Sequence, residues 1–501
     1  MSHTLHRVFL KEKNMRAVTI MYDSLNRKYL PCYGNEDVYA PNFRRLQEKA
    51  VVFDNFYAGS LPCMPARREL HTGRYNFLHR SWSPLEPFDD SMPEILSSSG
   101  VCTQFVSDHC HYWQDGGLSY HTRYSAFEMV RGQEGDEWHG RADGFTTKRQ
   151  PRRMDGINRE YTRDDNCCHA RCFEAAKDFL LNNVDQDNWY LHLEYFDPHE
   201  PFDVPDKYKK IYTDNPTSMD WPMYKRVEEQ NVDLDECIIN YKAAISMCDD
   251  YLGRVLDIFD EYDLWKDTLL ILCTDHGFML GEHGFVAKNY MPCYDEIVHL
   301  PFIMYDPRHP ELGGTRNNAL TQTIDIAPTL LDWFGAENPG NMQGISLLNT
   351  VSDNSKVHDE ILFGYFGKHV NITDGQYVYM RSARHNEILN EYAMIPTRLA
   401  SFFTKRELQM AQPYPESFEF AHKIPMLKIP AHTPDVPNGS HHMYDAHLQY
   451  GDLLFDLKSD PEENINIIND RPDEVERLKN DMKKLMEESE APIEQYERMD
   501  L

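Results

Sequence analysis

Apolar residues along this chain fall into two recurring patterns: unbroken runs of strand length and stripes at helical spacing. Runs at 17–22, 51–57, 101–106, 189–195, 268–273 and 300–305 predict strands buried on both faces of a sheet. Between them, Pro41 opens a helix, and 170–181 and 241–262 carry apolar residues at helical spacing. Strands alternating with helices predict a doubly wound α/β layer. Past residue 355 the pattern shortens. Segments 360–365, 370–373, 376–381 and 453–457 predict short strands, Asp374-Gly375 signals a hairpin, and 473–488 predicts a closing amphipathic helix. The chain thus divides into a tail at 1–14, an α/β domain at 15–355 and a small α+β subdomain at 356–501. A Pro-rich insertion occupies about 395–442 of the subdomain. The fold class is α/β, a large doubly wound mixed sheet flanked by helices, with a smaller C-terminal antiparallel sheet plus helix.

The polar residues worth attention stand where these apolar runs end. Asp23 follows the first strand, at the sheet edge where open α/β folds bind ligands, and is a candidate metal ligand or a plain helix cap. Thr274-Asp275-His276-Gly277 follows the strand at 268–273. Asp plus His suits a divalent ion, and Gly277 lets the backbone turn away at once. Cys63 precedes a short helix with Pro65 in its first turn and Gly73 as cap, so free N–H groups face the thiol and would stabilise a thiolate or a bound anion. Arg67, one turn on, can reach the same spot. The plainer reading of Cys63 is a small buried hydrophobe. His109 and His111 are two apart, on one face of an extended chain, and are otherwise ordinary loop histidines. His199 sits in a loop stiffened by Pro198 and Pro201, and its imidazole suits a general acid near neutral pH. Cys167-Cys168-His169-x-x-Cys172 lacks a second ligand pair and reads as structural.

Cys63-x-Pro-Ala-Arg with Thr72-Gly73-Arg74 resembles the signature of the type I, formylglycine-dependent sulfatases of the alkaline phosphatase superfamily and of their relatives, the phosphonate monoester hydrolases. Ala66 stands where the motif more usually has Ser. Tyr22-Asp23-Ser24-Leu25, Pro198-His199-Glu200-Pro201-Phe202, and Thr274-Asp275-His276-Gly277 with Leu280-Gly281-Glu282-His283-Gly284 and Lys288 resemble the same family in the same order. The resemblance implies that Cys63 becomes formylglycine through a maturation enzyme. It also implies that Asp23, Cys63, Asp275 and His276 bind one divalent metal ion, calcium, magnesium or manganese. Arg67 would clamp the anion, and His109, His199 and Lys288 would contact substrate. His199 and Lys288 would assist the leaving alcohol, and His111 would take a proton as the nucleophile is regenerated. Ser24 in place of a second Asp, and His276 in place of the more common Asn, are similar to the phosphonate monoester hydrolase branch. The implied activity is hydrolysis of a small-molecule or saccharide sulfate ester. The alternatives are a phosphonate or phosphate mono- or diester hydrolase using the same site, and a catalytically inactive binding protein with unmodified Cys63.

Composition narrows the partners. A chain of 501 residues with 41% hydrophobic residues buries a substantial core. A formal charge of −30, from 81 acidic against 51 basic residues, argues against nucleic acid or an anionic membrane and predicts a locally concentrated cationic site. The first 14 residues carry only the short apolar run Val8-Phe9-Leu10, neither a signal peptide nor a span. The 11 scattered cysteines read as reduced and the location as cytoplasmic, which leaves the Asn371-Ile372-Thr373 and Asn438-Gly439-Ser440 sequons unused. Lys148 to Arg153 is a basic run, a lid over an anionic substrate or a solvated loop.

Overall fold

The structure, a computed structural model, describes residues 15–146, 150–384, 389–415, 417–432 and 450–501. The tail at 1–14, Lys148 and Arg149 of the basic run, and the Asn438 sequon lie outside them.

The strand Arg16–Tyr22 is the axis of the molecule, buried over its whole length. It pairs in parallel with Trp189–Tyr195 on one side and Thr268–Thr274 on the other. Cys102–Ser107 and then Ala126–Met129 extend the first side in parallel. On the second side Phe302–Tyr305 runs antiparallel to Thr268–Thr274, Val51–Phe53 antiparallel to Phe302–Tyr305, and Arg316–Asn317 parallel to Val51–Phe53, completing an eight-stranded mixed sheet. The inner strands are buried over their whole length and mostly apolar because both faces are covered. Helices Pro41–Lys49, Cys168–Asn183 and Leu234–Glu261 cover one face, and Cys63–Thr72, Met92–Ser98 and Ile326–Phe334 the other.

The expected strand at 51–57 is two strands. Val51–Phe53 belongs to the main sheet, while Phe56–Tyr57 pairs with Thr321–Gln322. Asp54 forms an ion pair with Arg316, and Asn55 donates its side-chain amide to the Asn318 carbonyl at 2.8 Å. These side-chain bonds break the ladder between the two halves.

A five-stranded sheet follows the order Leu453–Asp456, Tyr377–Arg381, Val370–Thr373, Ile361–Tyr365, Ser60–Leu61. Its last member comes from the stretch before Cys63 and lies parallel to Ile361–Tyr365, with Tyr365 opposite Leu61. Helix Pro472–Glu488 packs Leu478, Met482 and Met486 into the core beneath this sheet. Two features have no counterpart in the sequence pattern. The expected insertion contains helix Lys405–Met410 and contributes to a small antiparallel sheet of Leu389–Ala393, Met426–His432 and Gln412–Tyr414. Helix Ile493–Met499 follows the expected last helix and binds back through Glu494, which accepts from Tyr392 at 2.7 Å and Asn390 at 2.9 Å. All eleven cysteines are free thiols. Among the described residues no helix is long and apolar enough to cross a membrane.

Candidate active site

Register builds the site. Tyr22 lies opposite both Tyr195 and Thr274, so the three strands end level. Asp23, the loop from Phe196 and Asp275 therefore leave the sheet side by side. The helix Cys63–Thr72 begins at Cys63 itself, after Pro62, and stops at Gly73, whose φ of 60° and N–H bond to the Glu69 carbonyl at 2.8 Å make a left-handed cap. Gly277 is required on contact grounds: a Cβ there would lie 1.9 Å from the Glu296 carbonyl oxygen.

Asp23, Cys63, Asp275 and His276 converge, all buried, with one donor atom from each within 4.8 Å of the others. Cys63 Sγ is 3.1 Å from His276 Nε2. His276 Nδ1 donates to the Gly277 carbonyl at 2.9 Å, which fixes the ring and turns the Nε2 lone pair inward. The Asp275 carboxylate accepts the backbone N–H groups of Ser24 at 3.1 Å and His276 at 2.7 Å.

Arg67 reaches this cluster, as its position predicts, but its guanidinium is engaged by protein. It donates to Asp275 Oδ2 at 2.6 Å, Asp23 Oδ2 at 3.0 Å, Glu194 Oε1 at 3.2 Å and the Cys63 carbonyl at 2.9 Å. Lys288 Nζ donates to Ser24 Oγ at 2.8 Å and lies 3.7 Å from Asp23 and 3.8 Å from Glu200. Ser24 Oγ in turn donates to Asp23 Oδ1 at 2.8 Å. His199 donates from Nδ1 to the Glu200 carbonyl at 2.7 Å, leaving Nε2 4.0 Å from Asp23.

The histidine pair departs from the extended geometry. Ser107 Oγ accepts the His109 N–H at 3.0 Å, and Cys110–Trp113 then winds into a 3-10 turn. The two rings meet edge to face at 4.9 Å rather than lying along one strand face. His109 is fully buried against Phe196, with both ring nitrogens unbonded among the described residues. His111 is half-buried and donates from Nδ1 to Gln114 Oε1 at 2.7 Å.

The electrostatics correct one expectation. Burial first, and then Asp23 and Asp275, push the Cys63 thiol well up, outweighing Lys288 and Arg67, so the helix N-terminus does not by itself hold a thiolate. Four buried carboxylates, Asp23, Asp275, Glu194 and Glu200, face two permanent cations, Arg67 and Lys288. Burial would raise Asp23, but Lys288, His199, Arg67 and His276 outweigh it and hold the carboxyl well below its ordinary range. Burial would lower Lys288, but the surrounding Cys63, Glu200, Asp23 and Asp275 raise it, so it stays protonated. Burial keeps the His276 and His109 imidazoles neutral.

Glu194 is the residue the sequence pattern hides. It sits within the strand Trp189–Tyr195 and accepts from Arg67, from Ser107 Oγ at 2.9 Å and from Tyr112 at 2.8 Å. Its signal is a lone carboxylate in a strand with no exposed face. The Cys167-Cys168-His169 run is structural in the structure as well: His169 bonds Asp197 at 3.1 Å and stacks on Tyr195, in the wall of the core. Arg152, from the basic run, forms an exposed ion pair with Asp220.

Several known proteins are similar to this chain. The family model described as Sulfatase matches residues 16–336, and that for the C-terminal part of N-sulphoglucosamine sulphohydrolase matches 281–394. An arylsulfatase of Clostridium perfringens is 23% identical over 458 residues, covering 81% of this chain and 92% of its own. A structure solved in complex with its substrate D-glucosamine-2-N,6-O-disulfate superposes with a TM-score of 0.65 at 16% identity, covering 95% of this chain and 98% of that one. The phosphonate monoester hydrolase of Agrobacterium radiobacter gives a TM-score of 0.65 at 18% identity, covering 95% and 96%. The two structural likenesses carry the fold.

Proposed function

From the premise that this chain belongs to the sulfatase family, we propose that it hydrolyses the sulfate ester of a small alcohol or saccharide, using a formylglycine made from Cys63 and one divalent cation. The observation that carries the reading is the convergence of Asp23, Cys63, Asp275 and His276 within 4.8 Å, beside a guanidinium that ties both aspartates. The donor set fits a cation: the carboxylates exceed the permanent positive charges by two, and the His276 lone pair already faces inward. A calcium, magnesium or manganese ion held by these four residues would balance that excess and polarise the ester oxygens. The hydrated aldehyde at position 63, installed by a maturation enzyme of the host, would supply the attacking oxygen.

The remaining side chains have separable tasks. Arg67 holds Asp23 and Asp275 at fixed spacing, and Glu194 holds Arg67. Lys288 presents a permanent charge to the sulfate and to the leaving oxygen. His199, oriented through Nδ1 on the Glu200 carbonyl, carries at Nε2 the proton for that oxygen. His109 contacts the sulfate as a neutral donor. His111, with Nδ1 occupied at Gln114, takes up a proton at Nε2 as the nucleophile is regenerated. The odd number and scatter of the eleven cysteines favour reduced thiols and a cytoplasmic location.

The test is the mass of the Cys63 peptide from protein made in its own host, together with turnover by Cys63→Ala. Conversion of the thiol to an aldehyde or its hydrate, and no turnover in the variant, is expected. Unmodified Cys63 in active protein would overturn the mechanism.

A phosphonate or phosphate mono- or diester is the second reading, favoured by Ser24. Its hydroxyl bridges Asp23 and Lys288 where many sulfatases carry a second aspartate. Rates on sulfate and phosphonate esters of one alcohol separate the two readings.

A further inference from the structure

Among the described residues a second group of metal-type donors stands apart from the Asp23 cluster. It comprises Cys110, His111 and Glu134, one donor atom from each, all within 4.8 Å of one another. We propose that these three residues hold a thiophilic divalent cation, zinc above all, and that loading this second site slows hydrolysis.

The donor chemistry differs from that of the first site. A thiol, an imidazole and a carboxylate make a sulfur, nitrogen and oxygen set with room for one further ligand, which suits zinc, and the sulfur disfavours calcium and magnesium. Spacing agrees. Zinc–sulfur and zinc–oxygen bonds of about 2.3 and 2.0 Å at a tetrahedral angle set sulfur and oxygen about 3.5 Å apart. Cys110 Sγ lies 3.5 Å from Glu134 Oε2. The imidazole is prepared: Gln114 Oε1 takes His111 Nδ1 at 2.7 Å, so Nε2 is the ligating atom, held by an outer partner of the kind metal-bound histidines use. Cys110 and His111 are carried together on the 3-10 turn Cys110–Trp113, while Glu134 approaches from the loop after Ala126–Met129. Coordination would displace the Cys110 thiol proton to solvent.

The site adjoins the reaction chamber. Glu134 and His199 line one polar cavity of about 30 Å³, and Glu134 lies within the electrostatic reach of His199, Glu200 and Lys288. A cation here would occupy His111 Nε2, the atom assigned a proton in the hydrolytic cycle, and place positive charge near His199. This inhibitory consequence rests on the hydrolytic reading; the site itself does not.

Cobalt(II) reports the site through a thiolate-to-metal absorption band. The titration uses the full chain carrying Cys63→Ala, which removes the competing thiol at the first site, in excess magnesium. One equivalent should raise the band. Adding Cys110→Ala should abolish it, and adding Glu134→Gln or Gln114→Ala should weaken cobalt affinity by roughly tenfold or more. A band that survives Cys110→Ala, or no band in protein whose circular dichroism is native, would overturn the site. So would unchanged affinity in Glu134→Gln. With Cys63 intact, zinc should lower the hydrolysis rate but leave the rate of Cys110→Ala unchanged; equal inhibition of both would overturn the regulatory role. Absence of any sulfatase turnover would count against the function proposed above, while the cobalt band still decides the site.

Discussion

Glu69, in the helix that Cys63 opens, is fully buried and pinned to the strand before the nucleophile. It accepts the Ser60 N–H and the Thr323 hydroxyl, the latter at 3.0 Å. Burial raises its carboxyl from an ordinary 4.5 to about 7 against the pull of those donors. The folded protein therefore keeps this proton up to about pH 7, whereas the unfolded chain releases it near 4.5. The stability from this group is fully present below the unfolded value and is lost as pH rises through the folded one. Over that window, at about 1.36 kcal/mol per pH unit, the loss is about 3 kcal/mol. Glu69→Gln removes the titration and keeps the shape. The amide oxygen can accept from Ser60; the amide N–H can donate to Thr323 Oγ1, whose own O–H then loses its acceptor at low and high pH alike. Urea unfolding of both proteins near pH 5 and pH 8 measures the effect. Burial also raises Asp197 and Asp249 to about 7, so a shared slope will remain. The difference between the two proteins isolates Glu69: the variant should gain about 2.5 kcal/mol on the wild type between those pH values, part of the loss lying below pH 5. Parallel stability profiles would refute the reasoning.

The remaining predictions concern the site. Glu194→Gln keeps shape and removes the charge that holds Arg67, and should lower kcat/KM by roughly 10- to 100-fold, as loss of an orienting partner commonly does, with circular dichroism unchanged. Cys63→Ala should be inactive in steady-state assays yet melt within about 2 °C of the wild type, since only a small buried thiol is lost. Gly277→Ala drives a methyl against the Glu296 carbonyl oxygen, so the loop bearing Asp275 and His276 must move. Metal affinity by calorimetry should fall roughly 10-fold or more, and undiminished affinity would show that the turn tolerates the side chain.

Much of the architecture is legible because parallel strands buried on both faces leave an unambiguous trace. Residues 17–22 and 268–273 are apolar almost throughout and each ends at a polar residue, Asp23 or Thr274-Asp275, while 189–195 is apolar apart from His192 and Glu194; the level register brings the three ends together. Periodicity fails where the determinant is a partner far along the chain. Asp54 and Asn55 divide a run of aromatic and β-branched residues only because Arg316 and Asn318 lie opposite them. Helix Ile493–Met499 shows little stripe of its own and is held by polar bonds to the small sheet. Ser60–Leu61 joins a sheet whose other strands lie beyond residue 360, a long-range pairing no local pattern encodes.

The site divides along the same line. Residues at element ends, Asp23, Cys63, Asp275 and His276, are placed by local sequence; the sign of the site's charge is not. Local sequence places Arg67 and Lys288 as cations, but Glu194 and Glu200 enter from a strand interior and a loop, and the side-chain carboxylates outnumber the permanent cations. In this arrangement Arg67 and Lys288 are both ion-paired with protein, so neither is a fully available anchor for sulfate. Binding an anion here then requires a further positive charge at the carboxylates, and any cation that supplies it raises anion affinity by the same factor that the anion raises cation affinity. Arg67 is thereby less a receptor for the substrate than a frame that keeps two aspartates from relaxing apart, which is why removing the Glu194 charge should impair hydrolysis without touching a residue that contacts substrate.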